Sequence, residues 1–178
     1  MRINTSVILV DNDDNEIGNC EKIKAHKLGL CHRAFSIFIF RKKSHQLQLL
    51  IQQRHPKKYH CGGLWTNTCC SHPFPGEETK NAAKRRLFEE VGIQTELKYA
   101  GKFHYIVNFN NGLTENEYDH VYVGLFSKNE ININKNEISN TAWIAIEKLE
   151  REIIETPQKY TPWFIEAFSI ALNVIGEI

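Results

Sequence analysis

Apolar positions along this chain fall into short dense runs and one spaced series, and the two patterns predict different elements. Ser6–Val10 is a β-branched run that stops at the polar cluster of residues 11–15, which reads as a strand entering a surface hairpin. Residues 34–40 and 47–52 are two further apolar runs, joined by a basic link at 41–45 as a second hairpin. Between residues 77 and 91 the rhythm changes. Ala82, Ala83, Leu87 and Val91 form one apolar face, acids occupy the first turn and Gly92 follows as a terminator, so a helix is predicted. Residues 99–109 and 118–126 read as strands joined through Asn110-Asn111-Gly112, a strong turn signal. Residues 142–146 read as a strand and 147–154 as a helix. A last helix is predicted to open at Thr161-Pro162, a capping residue with Pro at the first helical position, and to run towards Ile175. Strands mixed with helices in this way imply an α/β sandwich around a mixed sheet.

Composition narrows the picture. With 178 residues, 42% hydrophobic and 24% charged, the chain is expected to form one domain over residues 1–178 with a real core. A formal net charge of +1 argues against a dedicated binder of nucleic acid or acidic membranes. No basic stretch followed by an apolar run opens the sequence and no window approaches a membrane span, so a cytoplasmic location with reduced thiols is expected. The cysteines (Cys20, Cys31, Cys61, Cys69 and Cys70) are odd in number and form no CxxC pair, which argues against a disulfide framework and against zinc ribbons. The acidic cluster near residue 11 is not a calcium loop, because Glu16 stands where such a loop needs Gly and Lys22 where it needs Glu.

Candidate chemistry concentrates at Cys70 and His72, two residues apart, and at Glu115 and Glu117, which share one side of an extended strand. With His26 and His32 these make a donor set of imidazoles and carboxylates suited to zinc, manganese or magnesium. A lone histidine is more often surface or core furniture than a ligand, so the set stands only if its members converge. Cys70 is expected just ahead of the main helix, where backbone dipoles favour a thiolate. Cys69 must face the opposite way on extended backbone, and an inert packed thiol suits Cys20, Cys31 and Cys61. Lys22, Arg54, Lys57, Lys58, Arg85 and Arg86 are by default solvated charges, yet Arg54 and Lys58 flank a strand end, as phosphate-gripping side chains often do. No P-loop or GxGxxG accompanies them.

Six segments, in order, resemble the type I isopentenyl diphosphate isomerases of the Nudix superfamily. They are Glu21-Lys22 with Ala25-His26, His32 to Ser36, Trp65 through Pro73, Arg85-Arg86 with Glu90-Val91-Gly92, Glu115-Asn116-Glu117, and Thr161-Pro162-Trp163. Residues 77–93 also resemble a degraded Nudix box. Glu77, Arg85, Leu87, Glu89, Glu90, Gly92 and Ile93 fit it, whereas Ser71 replaces its opening Gly and Arg86 its first helical Glu. Hydrolases of the superfamily use that Glu to hold metals, so Arg86 argues for gripping a diphosphate rather than cleaving it.

The resemblance implies a Nudix-like α/β/α sandwich and the reversible conversion of isopentenyl to dimethylallyl diphosphate. It implies that His26, His32, His72, Glu115 and Glu117 bind one divalent metal (Mn2+, Zn2+ or Mg2+). Cys70 and Glu117 would be the acid/base pair, with Tyr105 supporting the acid and Trp163 as an aromatic lid. Glu90, near the Cys70 carbonyl, would hold a Mg2+ bridging to the substrate diphosphate, and Lys22, Arg54, Lys58, Ser71 and Arg86 would contact that diphosphate. One small-molecule substrate, no nucleic-acid or membrane partner, and a monomer are expected. One departure is visible: only five residues separate His26 from His32, which tightens the loop between them. Two other classes compete, a Nudix diphosphate hydrolase and a non-catalytic metal- or partner-binding domain.

Overall fold

The run at residues 34–40 is apolar at nearly every position because the strand that contains it is covered on both faces. That strand, β3 (His32–Lys43), is the axis of the computed structural model, which describes residues 5–128 and 130–176. Phe35, Ile37 and Ile39 point to one side and pack on Ala82, Ala83, Leu87 and Val91 of α2 (Thr79–Val91). Phe38 and Phe40 point to the other and pack on Phe164, Ala167 and Phe168 of α4 (Phe164–Ile175). Helix α3 (Ile146–Glu155) adds Leu149 and Ile153 to that second face. The result is the α/β/α sandwich expected from the sequence, and no described helix is long and apolar enough to cross a membrane. The single domain expected over 1–178 includes residues 1–4, 129, 177 and 178, which lie outside the described residues.

The nine-stranded sheet is mixed. One edge of β3 runs parallel to β8 (Thr114–Leu125), from His32 opposite Glu117 to Phe40 opposite Leu125, and β7 (Lys98–Asn108) lies antiparallel beyond it. The other edge meets three partners in turn. β1 (Ser6–Val10) touches it at His32, β6 (Cys69–Ser71) at residues 35–37 and β4 (Gln46–Arg54) from Ile39 onward. β4 also carries the short β5 (Trp65–Thr66) and β9 (Ile138–Ala145), and β2 (Glu16–Glu21) pairs with β1. Where β3 and β4 part to admit β6, Thr68 fills the missing rung. Its hydroxyl accepts from the Ile39 amide at 2.9 Å and donates to the Leu50 carbonyl at 2.6 Å. Losing such a partner for a buried backbone group costs about 1–3 kcal/mol.

Several predicted boundaries move. The main helix begins at Thr79 rather than 77, and no acid sits in its first turn. Glu77 instead accepts from the Phe74 amide and holds Arg85 through two 2.8 Å bonds. Helix α4 begins at Phe164, and the Thr161 hydroxyl bonds to Thr66 at 2.8 Å instead of capping. The hairpin link shrinks to Ser44-His45, both with positive φ. Helix α1 (Lys22–Leu28) had no periodic signal, being seven residues long, although its Glu21 cap and Gly29 terminator stand in the sequence.

Candidate active site

Strand register assembles the centre before any side chain is considered. On β8, Glu117 faces His32 across the parallel β3 pairing and Tyr105 across the antiparallel β7 pairing. Helix α1 brings in His26 one turn after Lys22, and His72 follows β6. The His26 Nδ1–H donates to the Lys22 carbonyl at 2.6 Å and the His32 Nδ1–H to the Leu30 carbonyl at 2.8 Å, so each ring turns its Nε2 lone pair inward. These inward nitrogens lie 3.4 Å from Glu115 Oε1 and 3.3 Å from Glu117 Oε1 respectively. His72 Nε2 lies 2.8 Å from Glu117 Oε1.

The ligand atoms of His26, His32, His72 and Glu117 lie within 4.8 Å of one another, and a second group of the same kind is His26, His60 and Glu115. Buried Nε2 atoms of His26 and His32, and Oε2 of Glu115, have no hydrogen-bond partner. Buried polar atoms are rarely left so, and several orphaned donors converging on one point fit a divalent cation. Burial holds the His72 imidazole down at about 3, which keeps it neutral and able to ligate.

Tyr105 donates to Glu117 Oε2 at 2.6 Å. Burial works against a charge on Glu117, but the neighbouring Glu115, His32 and His72 outweigh it and hold this carboxyl well below the usual range. Burial, and then the neighbouring Glu117 charge, push Glu115 up to about 8. Cys70 and Ser71 come from β6, with α2 beginning only at Thr79, so the thiol is not at a helix N-terminus. Burial pushes it up to about 12, with the Arg54 guanidinium, whose Nη1 lies 3.6 Å from Sγ, opposing. The expectation of a thiolate held by helix dipoles is therefore corrected: in the free protein Cys70 is a thiol. Cys69 turns into the α2 side of the core, whereas Cys20, Cys31 and Cys61 are only half-buried.

Lys22, Arg54, Lys58, Cys70, Glu117 and Trp163 all line one pocket, together with Ser71, His72, Arg86, Glu90, Tyr105 and Glu115. His26 and His32 stand behind its wall, fully buried. Trp163 is a buried side of the pocket, fixed by an Nε1–H bond to Asn67 at 3.3 Å. At the polar end Lys58 and Arg86 pair with Glu137, and Arg86 also pairs with Glu89 and the buried Glu90. Lys57 is an exposed turn residue outside the pocket, and Arg85 is engaged by Glu77.

Sequence reasoning missed four polar lining residues, Tyr59, His60, Asp119 and Glu137, besides the apolar Ala34 and Phe35. Asp119 was signalled, since Glu115, Glu117 and Asp119 continue one alternating face. It accepts from Ser36 at 2.7 Å, and burial with the Glu117 charge raises it well above its ordinary value. His60 and Glu137 lie in loops without periodicity.

The fold and pocket define a class. The family model for the NUDIX domain matches residues 31–164, and the chain belongs to the Nudix family. Solved structures agree on the fold: a Deinococcus radiodurans protein superposes with TM-score 0.67 at 20% identity over 85% of this chain and 90% of that one. A MutT protein from Methanosarcina mazei gives 0.64 at 17%, over 80% and 94%. Closer relatives specify the branch. A Pectobacterium atrosepticum protein is 44% identical over 93% of this chain and 90% of its own. A Serratia proteamaculans protein is 47% identical over 89% and 87%, and one from Photobacterium profundum 39% over 99% and 99%. All three are named isopentenyl-diphosphate Delta-isomerase, and the chain belongs to that isomerase family.

Proposed function

We propose that this enzyme interconverts isopentenyl and dimethylallyl diphosphate by protonating one end of the allylic unit and deprotonating the other. The observation that carries the reading is a single pocket lined by a thiol, a tyrosine-supported carboxyl and a cluster of cations. Glu117 delivers a proton to the terminal methylene and Cys70 removes one from C2; the reverse reaction exchanges their roles. The pair carries one proton in either form, and the free protein rests with it on sulfur. Arg54 beside Sγ is the cation that supports the thiolate when the proton moves.

His26, His32, His72, Glu115 and Glu117 would hold one divalent ion (manganese, zinc or magnesium), whose charge, when bound, orients the Glu117 carboxyl and makes its proton more acidic. Glu90, with the Cys70 carbonyl, would hold a magnesium ion that neutralises the diphosphate. Lys22, Arg54, Lys58, Ser71 and Arg86 grip the diphosphate itself, and their binding energy helps to seal the pocket. Sealing matters because water would trap a tertiary cation as an alcohol. The Trp163 ring face covers that cation, an interaction worth on the order of 2 kcal/mol once desolvated. Every group comes from one chain, so the reading needs no second copy.

Arg86 also weighs against phosphate-bond hydrolysis. It stands in the helix where a hydrolase presents a ligand, and its ion pairs occupy Glu89 and Glu90. The test is proton NMR of isopentenyl diphosphate in D2O with the protein and Mg2+. Dimethylallyl signals with deuterium incorporation and no released phosphate are expected. Unchanged substrate from folded, metal-replete protein, or phosphate release, would discard the reading. Cys70→Ala and Glu117→Gln are each expected to lower kcat by about 1,000-fold or more without changing the melting temperature.

A further inference from the structure

The loop between β4 and β5 holds an imidazole that the mechanism above does not use. His60 is 6% exposed, and both its ring nitrogens lack a hydrogen-bond partner. The ring is clamped rather than loose. It stacks on Phe109 at 4.9 Å and 12°, and meets Tyr59 and Trp163 edge-on at 4.4 and 5.9 Å. Its carbonyl accepts from Arg54 Nη2 at 3.3 Å, which fixes the backbone as well. Nε2 reaches within 2.5 Å of Glu115 Oε1, yet it is not hydrogen-bonded to that oxygen. An imidazole nitrogen beside a carboxylate oxygen, but not aligned with it, is the arrangement of two donors that share a third point.

We propose that His60 is a fourth imidazole ligand of the metal centre, so that one ion is held by His26, His32, His60, His72, Glu115 and Glu117. This rests on the reading that the cluster holds a metal. The two donor groups meet at His26, which links them into one cluster. Its Nε2 belongs to both donor groups while its Nδ1 is committed to the Lys22 carbonyl, and one lone pair cannot serve two ions. Four imidazoles with two carboxylates make a donor set that suits zinc or cobalt better than magnesium, which prefers an all-oxygen shell. His60 thereby sets which metal this chain selects. It also anchors the loop that carries Lys58 at the polar end of the pocket, so metal occupancy is coupled to the order of that loop.

The test uses the full chain labelled with 15N-histidine and titrated with Zn2+ alone, with imidazole nitrogen resonances as the readout. One equivalent is expected to shift four rings, His60 among them. Competition against a chelator is expected to show zinc affinity reduced by about 10-fold or more in His60→Phe, with magnesium affinity changed less and the metal-free melting temperature unchanged. Three shifted rings with His60 unmoved would overturn the assignment and leave a simple Glu115 contact. No zinc-dependent shift at all would overturn the metal reading beneath it. Either result leaves the isomerase assay in D2O to be judged separately. The labelled wild-type protein decides the point even if His60→Phe does not fold.

Discussion

A thiol pushed up to about 12 and a carboxyl held well below its usual range keep one proton between them across the working range of pH. Below the upper limit Cys70 is protonated, and above the lower one Glu117 is ionised. The chemically active tautomer has the same proton count as the resting one, so its population does not change with pH between those limits. The expected outcome, at saturating metal (which would hold Glu115 ionised) and saturating substrate, is a kcat profile without a limb at the ordinary thiol value. A free thiol titrates near ~8.5, so an acid or alkaline limb at that value would show that the mobile proton is not shared by this pair. Facing directions of Cys69 and Cys70 were legible from the alternation of a strand. The protonation state was not, because it depends on burial, and burial depends on segments far apart in sequence.

The loop of residues 55–64 shows how an element without periodicity can hold a site together. It closes on the Gly63 amide bonded to the Arg54 carbonyl at 3.0 Å and the Arg54 amide bonded to Leu64 at 2.9 Å. Cys61 and Gly63 take positive φ, and a Cβ on Gly62 would stand 2.5 Å from the Pro56 carbonyl oxygen. No side chain fits there without moving backbone. Gly62→Ala is therefore expected to destabilise the fold by on the order of 1–3 kcal/mol and to weaken substrate affinity through Lys58. Urea midpoints and KM measured together check this, and a neutral variant would show the loop to be slack. Long dense runs and the α2 face were legible because each repeats over several turns or rungs. α1, β5 and β6 were not, since two to seven residues carry too little pattern, and His60 escaped notice because its loop has no periodicity at all.

At the scale of the whole molecule, the layers could be read from the mix of runs and helical faces, but the partners could not. Nothing in the periodicity says that β8 lies parallel to β3, and that pairing alone brings Glu117 to His32. One buried group ties the N-terminal hairpin to this frame. Asp14, just before β2, accepts from Arg33 of β3 at 2.8 Å, Lys102 of β7 at 2.9 Å and His120 of β8 at 2.8 Å. Burial raises its carboxyl, but Lys102, Arg33 and then His120 outweigh this and leave it below its ordinary value. A carboxyl depressed by folding contributes stability above its unfolded value, and loses it as pH falls through the folded one. Asp14→Asn suits the backbone, since φ is +67° and Asn tolerates that region. It removes the charge facing Arg33, which keeps its bond to the Asp14 backbone carbonyl, and a cost towards the lower end of about 1–3 kcal/mol is expected at neutral pH. Lys102, which is 40% exposed, recovers water and keeps the cost at that end. Urea unfolding of wild type and variant at pH 7 should show this gap, and the gap should close as pH falls through the depressed folded-state value of Asp14, below the ordinary carboxylate range. A difference that persists unchanged in acid would mean that the side chain acts through shape, and that the three strands are not joined by its charge.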